Sequence, residues 1–161
     1  MPMTSRTDPP FTPADAAAMR DALALAQRSV GLSDPNPRVG CVIAAADGRI
    51  LGRGHTQAAG AAHAEVMALA DAASQGAEVR GATAYVSLEP CSHHGRTPPC
   101  CDALIGAGVK RVVVAVEDPN PLVAGQGIAR LRAAGIEVAV GLQGDAAREL
   151  NIGFFTRMSH G

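Results

Sequence analysis

One imidazole, two thiols and one carboxylate stand at spacings suited to chemistry: His63 and Glu65 flank Ala64, and Cys91 and Cys100 are separated by eight residues. A catalytic zinc site keeps three protein ligands, commonly imidazole and thiolate, and leaves a fourth position for water. His63, Cys91 and Cys100 supply three such ligands, and Glu65 supplies a carboxylate able to move protons beside them. The expectation is one zinc ion (Zn2+) per chain on those three residues, with Glu65 as the catalytic acid and base.

Each group has a plainer reading when taken alone. An H-x-E triplet is common by chance, and an isolated cysteine is more often a small buried hydrophobe than a ligand. The combination carries the argument: a helical pattern follows His63, a strand precedes Pro90-Cys91, and Cys100 opens another helix. A structural zinc would usually close with a fourth ligand. Cys101 is the only obvious one, but its neighbour already ligates and adjacent side chains on a helix diverge, so Cys101 and Cys41 are expected to pack. Residues two apart on a regular helix do not share a face. His63 and Glu65 therefore converge only if both lie in a first turn, with the substrate beyond the helix end.

The elements that must position these residues are legible as alternating patterns. Thr12 can cap a helix with Pro13 at its first position and Asp15 in its first turn, running to about residue 30. An apolar run at 39–45, the turn dipeptide Asp47-Gly48 and a second run at 49–54 predict an antiparallel hairpin. Helical spacing at 63–75 leads into a strand over 82–88, and a helix follows from the Thr97-Pro98-Pro99 start to Gly106. A buried strand over 109–116, a short helix over 127–134, a last strand over 136–140 and an amphipathic tail helix over 145–158, with Leu150 and Phe154 on one stripe and Phe155 beside it, follow. Strands alternating with helices predict a layered α/β sheet.

Composition narrows the partners. The 161 residues are 47% hydrophobic, enough for one core, and 14 basic against 15 acidic residues give a net charge of −1. That balance argues against nucleic acid and against an anionic membrane surface. With 2% aromatic residues, no Trp and one Tyr, few rings are available to stack unpaired bases. No apolar leader or membrane-length stretch is present, and adjacent Cys100 and Cys101 do not read as a disulfide framework, so a cytoplasmic protein is expected.

The run Leu88-Glu89-Pro90-Cys91-Ser92-His93-His94-Gly95-Arg96-Thr97-Pro98-Pro99-Cys100 closely resembles the deaminase half of the bifunctional riboflavin-biosynthesis deaminase-reductases of the cytidine-deaminase superfamily. Its eight-residue spacing sets it apart from the P-C-x-x-C of cytidine and adenosine deaminases. Asn36-Pro37-Arg38-Val39-Gly40, Glu117-Asp118-Pro119-Asn120-Pro121-Leu122-Val123-Ala124-Gly125 and Leu150-Asn151-Ile152-Gly153-Phe154-Phe155 are similar to the same family, and the resemblance covers about residues 14 to 158.

The resemblance implies a three-layer α-β-α cytidine-deaminase-like fold with a mixed five-stranded sheet. It implies zinc-dependent removal of the 2-amino group of 2,5-diamino-6-ribosylamino-4(3H)-pyrimidinone 5′-phosphate as ammonia, giving 5-amino-6-ribosylaminouracil 5′-phosphate. His63, Cys91 and Cys100 would hold zinc, Glu65 would shuttle protons, and Asn36, His93, Arg96, Asp118 and Asn120 would line the pocket for this small phosphorylated pyrimidine. Many members carry His where this chain has Thr56, with His55 beside it. Residues 1–11 are expected to be a disordered N-terminal segment and 12–161 the zinc-dependent deaminase domain, with the reductase half, and with it NADPH, expected to be absent. A homo-oligomer is expected by the same likeness.

The residue chemistry is compatible with these roles. Arg96 and His93 can donate to a phosphate, while Asp118 and Asn120 sit among prolines, where their side chains also build turns. Gly125 and Gly127 lack the third glycine of a phosphate cradle and read better as the entrance to a helix. A related deaminase acting on free cytosine, guanine or a tRNA adenosine is the second enzymatic reading, opposed by the eight-residue spacing. A non-catalytic pseudo-deaminase scaffold would lack Glu65 or a ligand, and all four residues are present.

Overall fold

The sequence pattern becomes ten elements in the computed structural model, which describes residues 11–28, 38–57, 63–92 and 99–151. They are α1 (Pro13–Gln27), β1 (Gly40–Ala44), β2 (Ile50–His55), α2 (Ala64–Ser74), β3 (Thr83–Val86), α3 (Cys100–Ala107), β4 (Arg111–Val114), α4 (Gln126–Ala133), β5 (Glu137–Val140) and α5 (Gly144–Leu150). Each expected element is found, with ends moved by one to three residues where described. The expected disordered start, except Phe11, the last part of the tail helix with Phe154 and Phe155, and pocket candidates Asn36, His93 and Arg96 lie outside the described residues.

The strands form one mixed sheet in the order β2-β1-β3-β4-β5. β1 runs antiparallel to both β2 and β3, whereas β3, β4 and β5 are parallel. The period of two in a strand divides their side chains between two faces. Cys41, Ile43, Ala84, Val86, Val112 and Val114 pack on one face with Ala64, Ala68, Ala72, Cys101, Leu104, Ile128 and Leu131 from α2, α3 and α4. Val42, Ala44, Tyr85 and Val113 point the other way, onto Ala18, Met19, Ala22 and Leu25 of α1 and Ala147 of α5. Because β1 is covered on both faces it is apolar throughout, which is why its sequence does not alternate. The Asp47-Gly48 turn joins β1 and β2, with Gly48 at φ 90, and the register slips between Ile43 and Ala44.

Two glycines of β2 decide how closely α2 sits. A Cβ on Gly54 would lie 2.5 Å from both the Ala64 oxygen and the Ala68 nitrogen, and one on Gly52 would strike the Ala68 carbonyl. Facing them, Ala64, Ala68 and Ala72 are fully buried. The contact is therefore backbone against backbone, with small residues on both sides. On its outer edge β2 is closed by side chains: the Arg53 N–H donates to Asp71 Oδ2 of α2 at 2.8 Å, and Gln57 Nε2 donates to the His55 carbonyl at 2.9 Å.

α1 is tied to the sheet through Asp15. Thr12 and Asp15 form a reciprocal capping box, each side chain accepting from the other's N–H at 3.0 Å. The same carboxylate accepts from the Tyr85 hydroxyl at 2.6 Å and from two guanidinium nitrogens of Arg111 at 2.9 and 3.1 Å. Burial alone would raise the Asp15 carboxyl, but donation from Arg111, Tyr85 and Thr12 outweighs it and holds the group below the usual carboxylate range. Tyr85 is pushed up to about 12 by burial and by its bond to Asp15.

Removing one partner of a buried, hydrogen-bonded ion pair leaves the other uncompensated, so Asp15→Asn should cost about 3–5 kcal/mol of stability at neutral pH. The lowered folded-state value fixes the sign of the pH dependence. Asp15's contribution is fully present above the unfolded carboxyl value of about 3.9 and is lost as pH falls towards the folded one. Denaturant titrations should show the gap between wild type and Asp15→Asn narrowing from pH 7 to pH 3; a gap that widens on acidification would contradict this.

Candidate active site

The local backbone explains how His63 and Glu65 converge despite their spacing. His63 is the N-cap of α2, with extended backbone at φ −81 and ψ 166, and its side chain makes no capping bond. Only Glu65 lies within the helix, in its first turn, so the helical rotation that would separate the two is not imposed on His63. The ring is free of capping duty and turns to the cysteines instead: Nδ1 lies 3.1 Å from Cys100 Sγ and 3.9 Å from Cys91 Sγ.

Cys91 and Cys100 are joined through the start of α3. Pro99 is the N-cap and has no side-chain bond to offer the orphan N–H groups of the first turn. Cys91 takes that role. Its sulfur accepts from the Cys100 N–H at 3.2 Å and its carbonyl from the Cys101 N–H at 3.1 Å. A sulfur at a helix N-terminus meets positive potential, which favours thiolate. Cys101 points away, fully buried, its thiol facing the Pro90 and Gly127 carbonyls at 3.6 and 3.5 Å. Cys41 is likewise fully buried in the core, so both cysteines pack as expected.

The ligand atoms of His63, Cys91 and Cys100 all lie within 4.8 Å of one another, and no fourth ligand joins them among the described residues. Bonds of about 2.3 Å to sulfur and 2.0–2.1 Å to nitrogen separate tetrahedral donors by about 3.5–3.8 Å, a range bracketed by the two His63–sulfur distances. The electrostatics also fit a cation. Hydrogen bonds from Cys100 and His63 hold the Cys91 thiol down to about 4, whereas the bond to Cys91 and then burial push Cys100 well up. Two neighbouring sulfurs cannot both ionise easily on their own, and a divalent ion bonded to both would favour the charged form of each. The residues present fit zinc.

Glu65 is 3% exposed and lies within hydrogen-bonding reach of Cys100. Its carboxyl is pushed up to about 7, mainly by burial, with the Cys91 thiolate adding to the rise. A group near neutrality can both accept and release a proton under ordinary conditions.

The remaining candidates separate. Asp118 Oδ1 accepts from the Asn120 N–H at 2.9 Å and Asn120 Oδ1 from the Leu122 N–H at 3.0 Å, so both side chains shape the loop that carries them. Gly125, at φ 81, caps α4, and Gly127 is pressed against the Pro90 carbonyl, so the two glycines form a helix entrance. Thr56 is buried and its hydroxyl bonds the N–H and carbonyl of Val39 at 3.0 and 3.3 Å, continuing the β1–β2 pairing. Two residues of consequence were not singled out from sequence. Asn151 bonds the N–H of Arg38 at 2.6 Å and its carbonyl at 2.9 Å across 113 positions. Glu89 accepts three backbone N–H bonds beside Cys91. Only the position of Glu89 before Pro90-Cys91 hinted at this.

Residues 12–116 match the family described as the cytidine and deoxycytidylate deaminase zinc-binding region. The chain is 59% identical over 143 residues to riboflavin biosynthesis protein RibD of Escherichia coli, covering 89% of this chain and 38% of that protein. It is 45% identical over 143 residues to the diaminohydroxyphosphoribosylamino-pyrimidine deaminase of Buchnera aphidicola, covering 89% of this chain and 95% of that one. Among solved structures, RibD of Acinetobacter baumannii superposes with a TM-score of 0.86 at 52% identity, over 91% of this chain and 40% of that chain. The chain thus spans about two fifths of the length of the RibD proteins it matches.

The glycine contact under α2 predicts a distinction between two substitutions. Gly54→Ala should cost about 1–3 kcal/mol through overpacking and, by displacing the N-cap and first turn of α2 that bear His63 and Glu65, weaken zinc binding at least about tenfold. Gly48→Ala meets no neighbour within 4 Å. It should cost about 1 kcal/mol through its positive φ and leave zinc affinity unchanged. Competition with a metal indicator would measure both, and equal zinc affinities in the two variants would contradict the positioning role of the seam.

Proposed function

The chain belongs to the zinc-binding cytidine and deoxycytidylate deaminase family, and from that membership we propose that it deaminates 2,5-diamino-6-ribosylamino-4(3H)-pyrimidinone 5′-phosphate in riboflavin biosynthesis. The observation that carries this is the convergence of His63, Cys91 and Cys100 within 4.8 Å with a buried carboxyl, Glu65, alongside. The likeness to riboflavin-biosynthesis deaminases, including one whose length is 95% covered, supports the substrate. In this reading 12–161 is the deaminase domain, and the partners are the phosphorylated pyrimidine and further copies of the chain. A cytoplasmic location is part of the proposal; among the described residues no helix is long and apolar enough to cross a membrane.

When bound by His63, Cys91 and Cys100, zinc supplies Lewis-acid activation of a water molecule. Glu65 takes a proton from that water as its oxygen bonds to the amino-bearing ring carbon. It passes the proton to the adjacent ring nitrogen. Glu65 then takes the remaining proton from the hydroxyl now on that carbon and delivers it to the 2-amino group; as the carbon–nitrogen bond breaks, ammonia leaves and the oxygen stays on the ring as a carbonyl. A carboxyl near neutrality suits this alternation of base and acid. Asn36, His93, Arg96, Asp118 and Asn120 are proposed to bind the pyrimidine and its ribose phosphate, with Arg96 offering the planar donor fork that suits a phosphate.

Incubation with the phosphorylated diaminopyrimidine should release ammonia; turnover of cytidine in its place would move the assignment to another deaminase. Glu65→Gln should retain zinc and lose about 10²- to 10⁴-fold or more in kcat. Near-normal turnover by zinc-loaded Glu65→Gln would give the proton transfer to another group. Arg96→Ala should raise KM more for the phosphorylated substrate than for its dephosphorylated form, and equal rises would reject phosphate recognition.

A further inference from the structure

Glu89 is a buried carboxylate that the proposed chemistry does not use. It is 5% exposed and stands one residue before Pro90 and two before the ligand Cys91. Its partners among the described residues are backbone N–H groups. Oε1 accepts from Asp118 and from Gly125, both at 3.0 Å, and Oε2 accepts from Ile128 at 3.1 Å.

These three donors have a common geometry. Asp118 and Gly125 are the two ends of one loop, so a single oxygen closes its mouth. Inside the loop, two side-chain turns and the bonds from Val123 and Ala124 to the Asn120 carbonyl set its shape. Ile128 lies in the first turn of α4, whose N-cap is a glycine without a side chain, and Oε2 satisfies an orphan donor there. Gly127 permits the approach: a Cβ there would collide with the Pro90 carbonyl and lie 3.2 Å from the Glu89 side chain. Glu89 N in turn donates to the Val116 carbonyl at 3.0 Å, fixing its own strand beside the one that enters the loop.

We infer that Glu89 is a positioning residue for the proposed reaction: its carboxylate clamps the 118–125 loop to the peptide that carries Cys91 and so sets Asp118 and Asn120 relative to the metal ligands. This rests on the reading of Asp118 and Asn120 as substrate contacts. A carboxylate is suited to the task because it offers acceptors on both oxygens and no donor. Glutamine does not: whichever way its amide turns, an NH₂ group faces an N–H, and one side of the clamp opens.

The test uses the zinc-loaded full chain. Glu89→Gln should keep one zinc per chain, raise KM for the phosphorylated diaminopyrimidine about tenfold or more and change kcat less than about threefold. Combined with Asp118→Ala, it should raise KM by less than the product of the two single effects, because the second substitution removes a group the first has already displaced. An unchanged KM, or single effects that multiply, would overturn the inference. If Glu89→Gln does not fold, Glu89→Asp, which keeps the charge and shortens the reach, should give the same split between KM and kcat.

Amide exchange provides a reading independent of substrate. In the wild-type protein the Asp118, Gly125 and Ile128 N–H groups should exchange slowly, and Glu89→Gln or Glu89→Asp should speed at least one of them by about tenfold. Rapid exchange at all three in the wild type would overturn the clamp. A wild-type protein that leaves the pyrimidine untouched would end the assignment of that substrate instead, and the exchange rates would still decide whether Glu89 holds the loop.

Discussion

The first turns of α2 and α3 have to meet, and how closely α2 can approach the sheet determines whether they do. The Gly52 and Gly54 backbone admits α2 to a distance that no Cβ would allow, and Ala64, Ala68 and Ala72 keep that approach along its length. α3 is set from the other side, by the sulfur and carbonyl of Cys91 taking its first two N–H groups. His63 then reaches both cysteines from the N-cap of one helix, Cys100 opening the other and Cys91 capping it from the preceding loop. The metal ligands thus come from a cap, a loop and a first helical position, and their placement is enforced by packing below them.

Three buried carboxyl groups show three answers to the cost of removing charge from water. Asp15 is paired with a guanidinium and stays ionised below its usual range. Glu89 has backbone dipoles, aimed at both of its oxygens. Glu65 has neither to the same degree, and its carboxyl rises to about 7. The first arrangement fixes a charge, and the first two hold α1 and the 118–125 loop in place. The third leaves a proton exchangeable, which is the property that proton transfer requires.

Much of this was legible in the residues. The five strands and the alternation of helices followed from periodicity, and the ligand set followed from residue type and spacing, because cysteine, histidine and glutamate carry their chemistry locally. The coincidence of His63 and Glu65 was conditional on backbone geometry: only an extended N-cap lets side chains two apart share a site. Asp15 read as a helix-start residue, which it is, but its bonds to Tyr85 and Arg111 span 70 and 96 positions and have no local signature. Glu89 and Asn151 were hidden for the same reason, since their partners are backbone groups, and a backbone N–H is the same at every residue that bears one. Gly52 and Gly54 gave no sign either, because a glycine in a strand does not announce which helix lies over it.

The closure of β2 has a bearing on colloidal behaviour. A sheet edge normally templates further strands, and a free row of donors and acceptors is the usual start of intermolecular pairing. Here the Arg53 N–H is already committed to Asp71 and the His55 carbonyl to Gln57. An incoming strand would have to break both bonds and displace a carboxylate before it gained its first ladder rung. That margin of the molecule is thus guarded against runaway fibre growth at the molecular scale, by Gln57 just past the strand's own end and by Asp71 of the very helix whose opposite end frames the metal site.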